Sequence, residues 1–207
     1  ETRFVLATDR EAPQTTVSVL VLHEAVENEK KNLNYIRENH LITLMNSMIN
    51  TRISELLQKS SPPFVAGSVS FNEYLARGYD AFSITAVARQ NEEPVALEAI
   101  YTEAERAKRF GFTDGELKRA KARLLSSYEN YFKQKDKIDN DTYIAGIQSY
   151  FLTGEPMTSI DFDFDYLKHV IEGITTDEIS KKFREVMVTE NRTIIIQGLE
   201  GDDIKHL

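Results

Sequence analysis

The chain has 207 residues, 41% of them apolar and 28% charged, enough for one domain, or at most two small ones, with a sizeable core. A formal charge of −8, with Lys and Arg dispersed among acids, argues against nucleic-acid binding, which needs clustered cations for phosphate. Without cysteine there is no disulfide, no thiol nucleophile and no thiolate metal site, and no apolar run approaches the roughly 20 residues that span a bilayer.

The opening Glu1-Thr2-Arg3-Phe4 has neither the basic nor the apolar region of a signal peptide, and the chain reads as an excised fragment or a mature domain. Val17-Ser18-Val19-Leu20-Val21-Leu22 is short, β-branched and apolar on both faces, which predicts an interior strand. Leu33, Ile36, Leu41, Leu44, Met48, Ile53 and Leu56 then share one helical face. From Leu33 to Lys59 that helix would run about 40 Å. Pro62 and Pro63 stop it, because proline excludes helix from the residue before it.

Two strands follow. In Phe64–Phe71, residues Val65, Val69 and Phe71 alternate with Ala66, Ser68 and Ser70, the period of a half-buried strand. Ala81–Arg89 repeats the pattern with Phe82, Ile84 and Ala86, after a linker at Asn72–Asp80 that contains Gly78. Pro94 suits the first turn of a helix that Gly111 ends. Thr113 with Glu116, and Thr175 with Glu178, have the spacing of capping boxes. Buried stripes are expected at Leu117, Ala120, Leu124 and Tyr128, at Tyr143, Ile144, Ile147 and Phe151, and at Ile179, Phe183 and Val186. Arg192–Leu199 reads as the last strand. The order β-α-β-β-α-α-α-α-α-β predicts an α+β fold of one unit over residues 1–207: a mostly antiparallel sheet with helices layered over one face.

Several stretches, taken in order, resemble one unit of the M16 (pitrilysin-like) zinc peptidases. They are Thr8-Asp9-Arg10-Glu11-Ala12, Arg52-Ile53-Ser54-Glu55-Leu56, Gly111-Phe112-Thr113 with Glu116-Leu117 and Ala120-Lys121, Leu152-Thr153-Gly154-Glu155-Pro156, and Thr193-Ile194-Ile195-Ile196. The resemblance implies the LuxS/MPP-like metallohydrolase fold. The catalytic unit of that family carries H-x-x-E-H, two histidines on zinc and a glutamate that activates water. Here His23, His40, His169 and His206 are scattered, and His23-Glu24-Ala25-Val26-Glu27 has Glu27 where the reversed motif needs histidine. His40, near the apolar stripe of the long helix, reads as a packed or boundary residue. No catalytic or metal residue is assigned, no cofactor is expected in this chain, and zinc is expected in a neighbouring unit.

A later unit of the family uses an arginine and a tyrosine after its long helix to hold substrate. Arg52 resembles the arginine, but Phe64 stands where the tyrosine would be, and a phenyl ring donates no hydrogen bond to an oxyanion. A helix-surface salt bridge from Arg52 to Glu55 or Glu38 is the alternative. Arg77 and Tyr79 form a second Arg/Tyr pair at a spacing foreign to the motif, and exposed loop residues are the simpler reading. Asp161, Asp163, Asp165 and Glu172 imitate calcium-loop spacing, with Tyr166 where glycine is required. The simpler reading buries Phe162 and Phe164 and places the acids at a helix start.

The candidate binding feature is the uncharged strand carrying Val65, Gly67, Val69 and Phe71, which at a sheet edge would pair with extended peptide. A strand covered on its free side is the alternative. The function expected from the resemblance is a non-catalytic M16 unit that walls a peptide-degrading chamber beside other units or a partner subunit. A catalytically dead scaffold subunit is the alternative. Family members also suggest the periplasm.

Overall fold

The computed structural model describes residues 1–199. Five strands and six helices follow in the order β1 (Arg3–Asp9), β2 (Thr15–Glu24), α1 (Leu33–Leu57), β3 (Ala66–Glu73), β4 (Tyr79–Ala88), α2 (Glu93–Phe110), α3 (Asp114–Lys133), α4 (Asn140–Thr153), α5 (Ile160–Val170), α6 (Thr176–Val186) and β5 (Arg192–Leu199). The strands form one sheet in the order β1-β5-β2-β4-β3. β2 is interior, as its apolar run predicts.

The sheet is mixed, which corrects the expected mostly antiparallel one. β1 runs parallel to β5, while β5 with β2, β2 with β4, and β4 with β3 are antiparallel. β1 was not expected as a strand at all. Every one of its residues is exposed, so no buried face imposes the alternation that marks a strand.

One face of the sheet carries the core. Val17, Val19 and Val21 of β2, Val69 and Phe71 of β3, and Phe82, Ile84 and Ala86 of β4 pack with Leu44, Met45, Met48, Ile49 and Ile53 of α1. Ala96, Ile100, Ala104 and Ala107 of α2 and Phe183 of α6 complete it. Residues between them along the strands turn to the other face, Ser18, Ser83 and Thr85 partly open and Ser68 exposed. This layering follows from period-two strands meeting period-3.6 helices.

Both capping boxes form, with Thr113 and Thr175 each exchanging hydrogen bonds with the glutamate three residues on. Gly111 ends α2 at φ +70°, a backbone setting that L side chains resist. Pro94 lies in the first turn of α2. The stripe of α4 departs from expectation: no residue of that helix is buried, and Phe151 is 78% exposed.

Candidate functional site

β3 lies at the sheet edge, as strand addition requires. Within it, Val69 and Phe71 send their side chains into the core, whereas Val65 precedes the strand and is exposed. Gly67 sits close under α2, where an added Cβ would meet Ile100 Cδ1 at 2.9 Å.

The outer edge of β3 is not bare. α1 packs beside it, and two asparagines four residues apart reach the strand. Asn50 Nδ2 donates to Val69 O at 2.6 Å, and Asn50 Oδ1 accepts from Val69 N at 3.0 Å. Asn46 Nδ2 donates to Phe71 O at 3.1 Å, and Asn46 Oδ1 accepts from Phe71 N at 3.0 Å. All four main-chain groups that Val69 and Phe71 would offer a peptide are therefore engaged. Sequence reading missed both asparagines. Their only signal is a weak one, two poor helix formers a turn apart inside a long helix.

Beyond Phe71 the sheet opens into a cavity of about 1010 Å³ between the starts of α1 and β4 and the end of α6. Phe71, Arg77 and Tyr79 all line it, so three of the sequence candidates meet in one place. The cross-strand register sets Glu73 opposite Asp80 and Asp80 opposite His23. Burial pushes the Asp80 carboxyl up, the Glu73 charge adds to this, and Lys31 and Lys182 oppose it. Lys31 is committed elsewhere, donating to Thr153 O at 2.6 Å and Glu155 Oε1 at 2.5 Å. Tyr35 donates to the same Glu155 oxygen at 2.8 Å, and burial holds its phenol above its usual range. Lys182 pairs with Glu38. Carboxylates outnumber cations among the lining residues, so the cavity suits a cationic group better than an anion.

Arg52 does not bond Glu55 or Glu38, which corrects that expectation. Its Nε and Nη2 grip both oxygens of Glu116 at 2.6 and 2.9 Å, and Nη2 also donates to Gly111 O at 2.9 Å. The guanidinium lies over the Phe112 ring, 4.8 Å from its centre. Burial would raise the Glu116 carboxyl, but bonds from Arg52 and Thr113 outweigh it and bring it down to about 2. Arg52 thus ties α1 to the α2–α3 corner. Phe64 is wholly buried core.

The histidines stay apart in role. His23 Nε2 lies 2.8 Å from Val186 O, and its ring meets Phe71 edge-on. His40 is buried with Nε2 unpartnered, its ring packed edge-on to Tyr128. His169 is on α5, and His206 lies outside the described residues. Among the described residues no group of three or more His, Cys, Asp or Glu is placed to hold a metal ion. The calcium-like run is helical: Asp161 and Asp163 open α5, pairing with Lys135 and Thr158, and Asp165 pairs with Lys168. Phe162 is exposed and stacks on Tyr166, while Phe164 is partly buried against Phe132. No helix among the described residues is long and apolar enough to cross a membrane.

No protein-family model matches the sequence, and no curated protein matches it. The fold does match solved structures. The first half of the periplasmic protease PqqL from Escherichia coli aligns at TM-score 0.87 and 17% identity, over 97% of this chain and 42% of that one. A predicted insulinase family protease from Yersinia pestis aligns at 0.81 and 11% identity, over 99% and 43%. A peptidase M16 inactive domain from Pseudomonas fluorescens aligns at 0.63 and 12% identity, over 99% and 45%. The chain has the fold of M16 peptidase units, and it spans less than half the length of each of these solved chains.

Proposed function

We propose that this chain is a non-catalytic unit of an M16-type zinc peptidase. It packs against a neighbouring unit, walls the chamber in which peptide is degraded, and holds extended peptide along β3, while the neighbour supplies zinc and base. The observation that carries this reading is α4. Fourteen residues long, it exposes Tyr143, Ile144, Ile147, Tyr150, Phe151 and Leu152 and has one charged side chain, Asp141. A helix of that length gains most of its stability from packing, and a contiguous apolar face on this scale marks a contact surface. A second unit of the same fold is the occupant favoured by the solved relatives, each more than twice the length of this chain. The periplasm is the compartment proposed, after the Escherichia coli protease.

The test compares the 207-residue chain with the longer protein containing it. The chain alone should take up no stoichiometric zinc and cleave no peptide, and the longer protein should hold zinc and lose peptidase activity on chelation. Zinc at one per isolated chain with chelator-sensitive cleavage would overturn the reading. A longer protein with neither zinc nor activity would favour the scaffold alternative.

A further inference from the structure

The outer edge of β3 repeats every two residues, about 6.8 Å, and residues four apart on a helix are separated by about 6.0 Å along its axis. Those repeats nearly match. Two asparagines at that spacing on α1 therefore meet two successive outward-facing residues of an adjacent strand, Asn50 at Val69 and Asn46 at Phe71. A carboxamide has the same acceptor and donor as a peptide unit. Each asparagine thus both donates to and accepts from one β3 residue, as a paired strand residue would. The orientation is fixed from the helix side too, since Asn50 Nδ2 also donates to Asn46 O at 2.7 Å. Asparagine disfavours helix interiors, so two of them in α1 carry a conformational penalty that these bonds offset.

We propose that Asn46 and Asn50 are an intramolecular competitor for the β3 edge, so that extended peptide pairs with Val69 and Phe71 only when both carboxamides withdraw. The proposal rests on the peptide-holding role assigned above and states how that site is regulated. The exchange replaces four protein bonds with four peptide bonds, so main-chain pairing yields little net affinity in the native chain. The same two side chains blunt an edge that would otherwise template aggregation.

The test uses the full chain and a dye-labelled hexapeptide of alternating Val and Thr. In Asn46→Ala/Asn50→Ala, the unliganded Val69 and Phe71 amides should exchange with solvent faster than in the native chain. Peptide affinity by fluorescence anisotropy should rise on the order of tenfold, and peptide should slow the exchange again. Asn50→Asp keeps the acceptor for Val69 N–H but loses the donor to Val69 O, so it should give a smaller rise. It also serves as the readout if the double variant does not fold. Unchanged affinity in a folded variant whose two amides have been freed would overturn the proposal. So would peptide bound to the native chain with the asparagine side-chain resonances unmoved. The chamber role is read separately, from zinc and cleavage in the longer protein, so either idea can fail alone.

Discussion

Replacing Arg52 with Met removes both arms of the grip on Glu116, the bond to Gly111 O and the guanidinium over Phe112, and keeps an unbranched side chain in its place. The Arg52 and Glu116 side chains are 18% and 13% exposed, so the pair is nearer a buried than a surface ion pair. Breaking a buried pair from one side costs roughly 3–5 kcal/mol and an exposed one less than about 1, which places this substitution at about 3 kcal/mol. In a domain of this size that lowers Tm by about 6–12 °C. The loss should depend on pH. Glu116 titrates at about 2 in the folded chain and 4.5 ordinarily. Between those values the unfolded chain binds a proton that the folded chain refuses. The contribution is therefore complete above about pH 4.5 and is lost as pH falls through about 2. Urea unfolding of the native chain, Arg52→Met, Glu116→Gln and the double variant, at pH 7 and pH 3, measures the coupling directly. If Arg52→Met costs less than about 1 kcal/mol at pH 7, the value for an exposed pair, while the longer protein loses peptide turnover, Arg52 handles substrate and does not anchor α1.

Two further outcomes follow from buried groups. Gly111→Ala forces a Cβ onto a φ of +70° and to within 2.6 Å of Ser180 Oγ, and should cost at least about 2 kcal/mol in chemical denaturation. Ser180→Gly would relieve that contact but would also leave the buried Phe112 N–H without its acceptor, so it should not restore the loss. Burial lowers the pKa of His40 from its ordinary 6.5 against the opposing pull of Asp163, so the native chain should lose stability as pH drops below 6.5. His40→Phe should remove that limb of a Tm-versus-pH curve; an unchanged limb would mean that His40 is charged when folded.

Much of this architecture was legible because it is local. Prolines, glycines and capping boxes punctuate the helices at Pro94, Gly111, Thr113 and Thr175, and period-two alternation marks β3 and β4. What could not be read depended on partners distant in sequence. Arg52 looked like the owner of an i,i+3 pair with Glu55, but its ligand is Glu116 on α3, 64 residues away. α4 has the stripe of a buried helix, and among the described residues nothing buries it. Gly67, Val69 and Phe71 were legible as an edge strand, which Val65 only precedes. That the edge is already engaged depends on how α1 lies against it, which no periodicity encodes. The cavity gathers Phe71, Arg77 and Tyr79 through the β3–β4 turn, which Tyr74 N closes by donating to Tyr79 O at 3.0 Å, and sets them against α1 and α6, which are far away in sequence.

The parallel seam between β1 and β5 bears on the order of assembly. Thr2 and Arg192, which hydrogen-bond beside that seam, are 190 residues apart in the chain. Closing a flexible loop of that length costs about 5 kcal/mol of entropy if nothing else is ordered, and far less once the intervening body has formed. β1 has no buried side chain to repay that cost early. It should therefore dock onto β5 after the β2–β4–β3 sheet and its helices are in place, and its detachment should disturb the remaining body least.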